Sequence, residues 1–290
     1  MKYRFLLVLT AAIWGFAFSA QVVAMDNIGP FTFNSVRSFI GALSLVPVLL
    51  LHKKEPSPKR RDFPQWIGVT IAGCFLCGGT MLQQIGLLYT TASKASFITS
   101  TYILMVPLFG MFFGHVLRRN HVIGAAIAMA GVYLLSVKGD FTIGLGDSLV
   151  FLCAVFFSAH ILYLDYASQR YDPIEIAAGQ FFVCGVINLG AVLLFETVDL
   201  SALLAAWWPV LYVGFFSTGV AYTLQIVGQK HLPPTECSMI LSLEMVFGGL
   251  GGVFFLGETM TGKELAGVVC MILGVFLSQV PSPALRRRRA

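Results

Sequence analysis

The stretch from about Ala92 to Ser136 recurs, at low identity, from about Pro234 to Gln279. Phe112-Phe113-Gly114, Gly124 and Gly131-Val132 align with Phe255-Leu256-Gly257, Gly267 and Gly274-Val275 at a spacing of about 143 residues, which marks a duplicated structural unit. A unit with an odd number of membrane crossings must insert its second copy upside down. Inverted repeats of that kind are characteristic of secondary transporters.

The crossings follow from composition. With 57% hydrophobic and 11% charged residues and a mean hydropathy of +0.81, the chain has too little charge to cover a water-soluble surface. About 20 apolar residues span the hydrocarbon as a helix. Such stretches lie near 5–24, 30–51, 65–88, 94–114, 121–137, 147–167, 173–195, 205–229, 234–256 and 261–280. The expected fold is therefore an all-α membrane protein of ten transmembrane helices, arranged as inverted five-helix repeats over 1–139 and 140–290, the second with a basic cytoplasmic tail. Pro30 and Pro173 open the second span of each copy, and Phe39 with Phe182 and Leu50 with Leu193 continue the match. The first span lacks a small-x-small cleavage site and opens a polytopic pattern, so it reads as retained rather than as a secretory signal.

Charge sets the orientation. With a cytoplasmic N-terminus, Lys94, Lys138 and Lys263 fall outside and Arg37 inside a span, while the remaining Lys and Arg fall on the cytoplasmic side. Both termini are then cytoplasmic, in a bacterial inner membrane. The net charge of +5 and Arg286 to Arg289 serve topology and attraction to anionic lipid; no nucleic-acid partner is expected. The six cysteines lie in or beside spans, where Cys packs as a small apolar side chain. Cys74-x-x-Cys77 has no second pair or neighbouring His to complete a metal or redox site, and no metal or cofactor is expected. Gly110 with Gly114, Gly248 with Gly252, and Ala126 with Ala130 have the spacing of helix-packing faces; Gly248 to Gly252 also reads as a bend point.

Several motifs together resemble the EamA family of the drug/metabolite transporter superfamily: Trp14-Gly15, Arg37-Ser38-Phe39, Val106-Pro107, Leu243-Glu244-Met245-Val246, Leu256-Gly257-Glu258 and the Gly-rich fifth and tenth spans. The sequence departs from the pattern at Gly114-His115, where Gly-Glu is usual, at Phe156-Phe157, where Trp is common, and at Met245, which replaces a frequent Pro. The resemblance implies a bundle with a central cavity lined mainly by the first, third, fourth, sixth, eighth and ninth helices, and export of small metabolites such as amino acids.

Ionisable groups inside spans cost roughly 2.5 to 3.5 kcal/mol on insertion, which makes them functional candidates. Glu244, ten residues after Pro234, lies about 15 Å deep, near the midplane. It can bind a substrate amine, carry a coupling proton or hydrogen-bond a neighbouring helix. Arg37 is about 10 Å below the outer surface, within reach of a substrate carboxylate, Asp26 or Glu244. His160 suits a proton relay or a packing hydrogen bond, with Tyr163 close to the same face. Trp14, Tyr102 and Tyr222 are candidate cavity surfaces. Gln83, Gln84, Gln180 and Gln225 need partners in a dry interior. Tyr102 and Glu244 occupy roughly equivalent places in the two copies, as do Arg37 and Gln180, and Gln84 and Gln225.

The leading expectation is a secondary exporter or facilitator of small amphipathic solutes, with protons as a candidate coupling ion, working as a monomer or weak dimer in lipid. A phosphate-sugar or nucleotide-sugar carrier would need more cavity cations than Arg37 and Lys94. A lipid or isoprenoid enzyme would need paired acids or an Asp-rich motif, and ATP drive a phosphate loop; none is present in the sequence.

Overall fold

The computed structural model describes residues 1–25, 28–52, 59–60, 62–90, 92–136, 144–256 and 260–283. The division expected after residue 139, Gly257-Glu258, Asp26 and the terminal arginines lie outside the described residues. The chain is folded into helices: α1 (Lys2–Met25), α2 (Pro30–Ser44), α3 (Val46–Leu51), α4 (Gln65–Leu87), α5 (Ala92–Thr99), α6 (Tyr102–Gly110), α7 (Arg119–Ser136), α8 (Leu145–Ser168), α9 (Pro173–Phe195), α10 (Leu200–Ala205), α11 (Trp207–Tyr212), α12 (Tyr222–Gln229), α13 (Pro234–Leu241), α14 (Glu244–Leu256) and α15 (Gly262–Gln279). A π-helix, Val213–Ala221, joins α11 to α12.

Among the described residues, seven helical stretches are long and apolar enough to cross a bilayer: Lys2–Met25, Pro30–Leu51, Gln65–Leu87, Leu145–Ser168, Pro173–Phe195, Trp207–Gln229 and Gly262–Gln279. Phe97–Phe113 and Arg119–Leu135 are shorter apolar helices. In the expected fourth and ninth spans the regular α-helix is interrupted by a tightened turn, between α5 and α6 and between α13 and α14.

The two breaks have the same construction. Thr101 N bonds Ile98 O at 3.1 Å and Ile103 N bonds Ser100 O at 3.0 Å; Leu243 N bonds Ile240 O at 3.1 Å and Met245 N bonds Ser242 O at 3.1 Å. In both, the backbone tightens to i−3 bonding where a hydroxyl side chain takes a local carbonyl. Thr101 Oγ1 donates to Ile98 O at 2.6 Å and Ser242 Oγ to Met239 O at 2.7 Å. Such local side-chain bonds compete with the helical ladder, and a short tight stretch inside a helix commonly marks a hinge. Gly248 to Gly252, the other candidate bend point, lies within α14. The backbone there is helical, and the missing Cβ of Gly15 leaves room for Glu244 O and Phe247 Cβ, each 2.5 Å from where that Cβ would stand.

Glycine contacts pair the two halves reciprocally. A Cβ on Gly124 would stand 2.5 Å from Gly274 O, and one on Gly274 2.5 Å from Gly124 O; Gly131 and Gly267 face each other likewise at 2.6 and 2.7 Å. Gly124 corresponds to Gly267 and Gly131 to Gly274, so each glycine meets the counterpart of the other. That swapped pairing of antiparallel helices is what a two-fold axis lying across α7 and α15 generates. Close backbone approach of this kind supplies much of helix association in lipid.

The same exchange recurs elsewhere. Gly73 packs on Val183 and Gly214 on the corresponding Ile40; Gly86 packs on Val150 and Gly228 on the corresponding Leu7. Between Gly214 and Gly228 the second copy has one residue more than the first copy has between Gly73 and Gly86. The π-helix sits in that interval, and a single inserted residue is what a π turn accommodates.

The side-chain distribution is that of a lipid-embedded bundle. Phe5, Leu50, Leu51, Phe112, Leu193, Leu194, Phe195 and Phe276 are exposed, whereas Asn34, Gln84, Gln180, Asn188 and Gln229 are fully buried. Polar groups turn inward because hydrocarbon offers them no hydrogen bonds. Glu196, at the end of α9, bonds the backbone N–H of Phe31 and Thr32 at 2.9 and 2.8 Å, capping α2. Asp172 caps α9 itself and meets His52, beyond α3, at 2.9 Å.

Candidate functional site

The two breaks face one another across a central cavity of about 50 Å³, space for a few waters as its walls stand. Tyr102 and Glu244 are the first residues of α6 and α14, and Tyr102 Oη donates to Glu244 Oε1 at 3.2 Å. The other lining residues are Trp14, Phe18, Gln21, Arg37, Gln83, Thr99, Phe157, His160, Ile161, Ser217, Tyr222, Gln225 and Leu241.

The aromatic wall comes from both copies. Trp14 packs on Tyr222 with ring centroids 4.6 Å apart, and Phe157 stands at the position corresponding to Trp14. Trp14 Nε1 donates to Ser217 O at 3.2 Å, and Thr10 Oγ1 donates to Ala221 O at 3.1 Å; both acceptors are π-helix carbonyls. The irregular stretch therefore supplies acceptors that join α1 to the opposite half.

Arg37 is 5% exposed; its Nη1 donates to Gln21 Oε1 at 3.3 Å and its guanidinium lies 5.3 Å from the Phe33 ring. Among the described residues no carboxylate is within ion-pair distance of Arg37, so neither Glu244 nor another described acid neutralises it. His160 Nε2 meets Gln180 Oε1 at 2.9 Å. Gln83 Nε2 donates to Thr99 Oγ1 at 3.3 Å. Gln225 is 1% exposed, and its Oε1 has no partner among the described residues.

The structure thus gathers Glu244, Tyr102, Trp14, His160, Tyr222, Gln225 and Arg37 around one cavity, whereas Gln84 and Tyr163 are not among the residues that line it. Gln84 points away, with Nε2 3.8 Å from Met25 Sδ; Gln83, one residue earlier, lines the cavity and corresponds to Gln225 once the inserted residue is counted. Tyr163 lies past the cavity wall, where its Oη donates to Gly68 O at 2.9 Å and ties α8 to α4. Phe18, Gln21, Thr99, Ile161, Ser217 and Leu241 were not singled out from sequence, and Phe157 was noted only as a departure from the family pattern. Only Gln21, an amide in an apolar helix, carried a signal that could have found it.

Toward the N-terminal end of α1 the cavity is closed. Leu7, Tyr102, Ile161, Ile240 and Leu241 form one buried apolar cluster. Beyond it Arg4 Nη2 bonds Glu236 Oε2 at 2.9 Å, Tyr3 stacks on His231 at 3.7 Å, and Gln229 Nε2 donates to Ile161 O at 3.0 Å.

Comparison with known proteins gives a consistent set of relatives. The model of the EamA-like transporter family matches residues 1–137 and again 144–279. A protein of Archaeoglobus fulgidus named an uncharacterized transporter is 34% identical over 272 residues, covering 93% of this chain and 83% of the relative. The threonine/homoserine exporter RhtA of Salmonella typhimurium is 25% identical over 167 residues, 53% of each chain. A crystal structure 20% identical in sequence superposes with a TM-score of 0.78 over 94% of this chain and 95% of the other, which shows a shared fold.

Proposed function

The chain belongs to the EamA-like transporter family, and from that premise we propose a secondary transporter that moves a small amphipathic solute by alternating access. The solute binds between two halves of opposite orientation, whose inversion is supported by the swapped Gly124–Gly274 and Gly131–Gly267 contacts. The observation that carries the reading is the meeting of two corresponding helix breaks at one cavity, with Tyr102 bonded to Glu244 across it. Discontinuous helices with half-helix ends at mid-membrane depth are the usual construction of a transporter site.

The chemistry favours a zwitterion or neutral amphiphile. Glu244 offers an acceptor for an amine, Arg37 a fork for a carboxylate, and Trp14, Phe157 and Tyr222 an apolar surface between them. Arg37 is the cationic side chain lining the cavity among the described residues, too little for a phosphorylated sugar. The partial match to an amino-acid exporter points to amino acids or related solutes, and export follows from that relative. Glu244, once released by Tyr102, is the group placed to carry a coupling proton. The protein sits in the bacterial inner membrane with both termini cytoplasmic, as a monomer or weak dimer, and transports rather than catalyses.

The closed end then faces the cytoplasm, so inward opening must part the Arg4–Glu236 pair and the Leu7–Ile161–Leu241 cluster. Purified protein in proteoliposomes, assayed with an amino-acid and metabolite panel with and without a pH gradient, tests the reading. Saturable movement of a zwitterion, lost on Arg37→Gln while folding is unchanged, is expected. Movement of phosphorylated sugars alone would overturn the substrate class.

A further inference from the structure

Behind the aromatic wall, in the apolar cluster that contains Tyr222 and borders Trp14 and Phe157, lies a group of sulfur atoms that transport does not use. Cys77 on α4 and Cys184 on α9 are 2% and 1% exposed. Cys77 Sγ is 3.3 Å from Met81 Sδ, one turn further along α4. Asn188 Nδ2 bridges the thiols, 3.3 Å from Cys77 Sγ and 3.5 Å from Cys184 Sγ. Ser38 Oγ approaches Cys184 Sγ at 3.5 Å and Thr80 Oγ1 at 3.8 Å. A cysteine acting as a small apolar filler sits among carbon atoms; these two are ringed by heteroatoms. Asn188 is fully buried, and its Oδ1 has no partner among the described residues.

Among the described residues no three His, Cys, Asp or Glu side chains converge, but Cys77 Sγ has a thioether 3.3 Å away and shares the Asn188 amide with the Cys184 thiol. We propose that Cys77, Cys184 and Met81 form a binding site for a soft monovalent metal ion, Cu(I) or Ag(I). Thiolate and thioether donors select such ions over harder ones. Three sulfurs around one ion with bonds of about 2.3 Å lie about 4 Å apart, so the Cys77–Met81 separation must open by several tenths of an ångström. The unbranched, adaptable Met side chain absorbs that change.

Charge balance fits the same assignment. The ion displaces one proton from each thiol, so two thiols, one thioether and M⁺ give a complex of net charge −1 and two released protons. Arg37, which no described carboxylate neutralises, supplies the compensating +1. Its neighbour Ser38 already bonds Cys184. The ion would tie α4 to α9.

The test loads the full-length protein in detergent with one equivalent of Ag⁺, removes loose metal by gel filtration, and reads the silver shell by X-ray absorption. One retained Ag⁺ with three sulfur neighbours is expected, falling to two in Met81→Leu, with loss of retention in Cys184→Ala. Equal retention by a Cys77→Ala/Cys184→Ala double variant, or a silver shell unchanged by Met81→Leu, would overturn the site. Should the cysteine variants fail to fold, the Met81→Leu shell decides alone. None of these readouts depends on transport, so they stand or fall separately from the proposed function.

Discussion

The α7–α15 seam and the central cavity both join the two halves, yet they have treated the duplication in opposite ways. Along the seam, Gly124, Gly131, Gly267 and Gly274 keep the same residue at corresponding positions and make the same contact twice. Around the cavity, Tyr102 faces Glu244, Arg37 corresponds to Gln180 and Trp14 to Phe157. Packing of backbone on backbone admits one solution, so symmetry persists there. A pocket for an asymmetric solute gains from unlike walls, so symmetry has been lost where chemistry is needed.

If that contrast is right, the seam governs folding and the cavity governs transport. Gly131→Leu is expected to have the largest effect, since its Cβ would stand 2.6 Å from Gly267 O and from Met271 N. Overpacking against backbone that cannot yield should cost about 3 kcal/mol, read as a lower unfolding midpoint or loss of monodisperse protein. Wild-type stability for this variant would break the comparison from the seam side.

From the cavity side, Glu244→Gln should leave the unfolding midpoint within error and lower transport by about tenfold or more. Tyr102→Phe removes a single hydrogen bond, about 1 kcal/mol, or roughly fivefold. Transport indifferent to both would remove the pair from the mechanism. A sharper and smaller contrast lies in adjacent residues. Gln83→Ala should reduce transport several-fold, whereas Gln84→Met should leave it unchanged while relieving an unpartnered buried oxygen; the reverse result would put the cavity on the wrong face of α4.

The smallest effect belongs to neither region. Asp62, in the loop before α4, accepts from Tyr166 and, at 3.1 Å, from Arg170. The Tyr166 hydrogen bond, then the Arg170 charge, hold its carboxyl below the usual range. Its stabilising contribution is therefore present above the unfolded-state pKa and lost as pH falls through the lower folded-state value. Wild type should melt slightly above Asp62→Asn at neutral pH, and the difference should vanish in acid. A gap that widens in acid would reverse the sign.

Much of this arrangement could be read from the chain, because glycines and prolines at a fixed interval carry strong positional information. The equivalence of Tyr102 and Glu244 in the two copies emerged that way. The breaks did not. Ser100-Thr101 and Ser242-Leu243 are unremarkable in an apolar run, and only their hydroxyl-to-carbonyl bonds show that the helix has tightened there. Gln83 and Gln84 could not be ranked either, since one step along a helix turns a side chain by about 100° and the sequence does not state the phase. Tyr163 misled for a related reason: three residues from His160 places it on nearly the same stripe, but a turn lower, against α4.

The nine π-helical residues of Val213–Ala221 have a bearing on how the pocket tolerates change. Glycine anchors fix the helix at their start, Gly214 against Ile40, and after their end, Gly228 against Leu7. An added residue in a rigid rod would have spun everything downstream by about 100° and carried Gln225 out of the pocket. The widened coil works instead as an expansion joint, swallowing the surplus locally and returning the rod to its former phase.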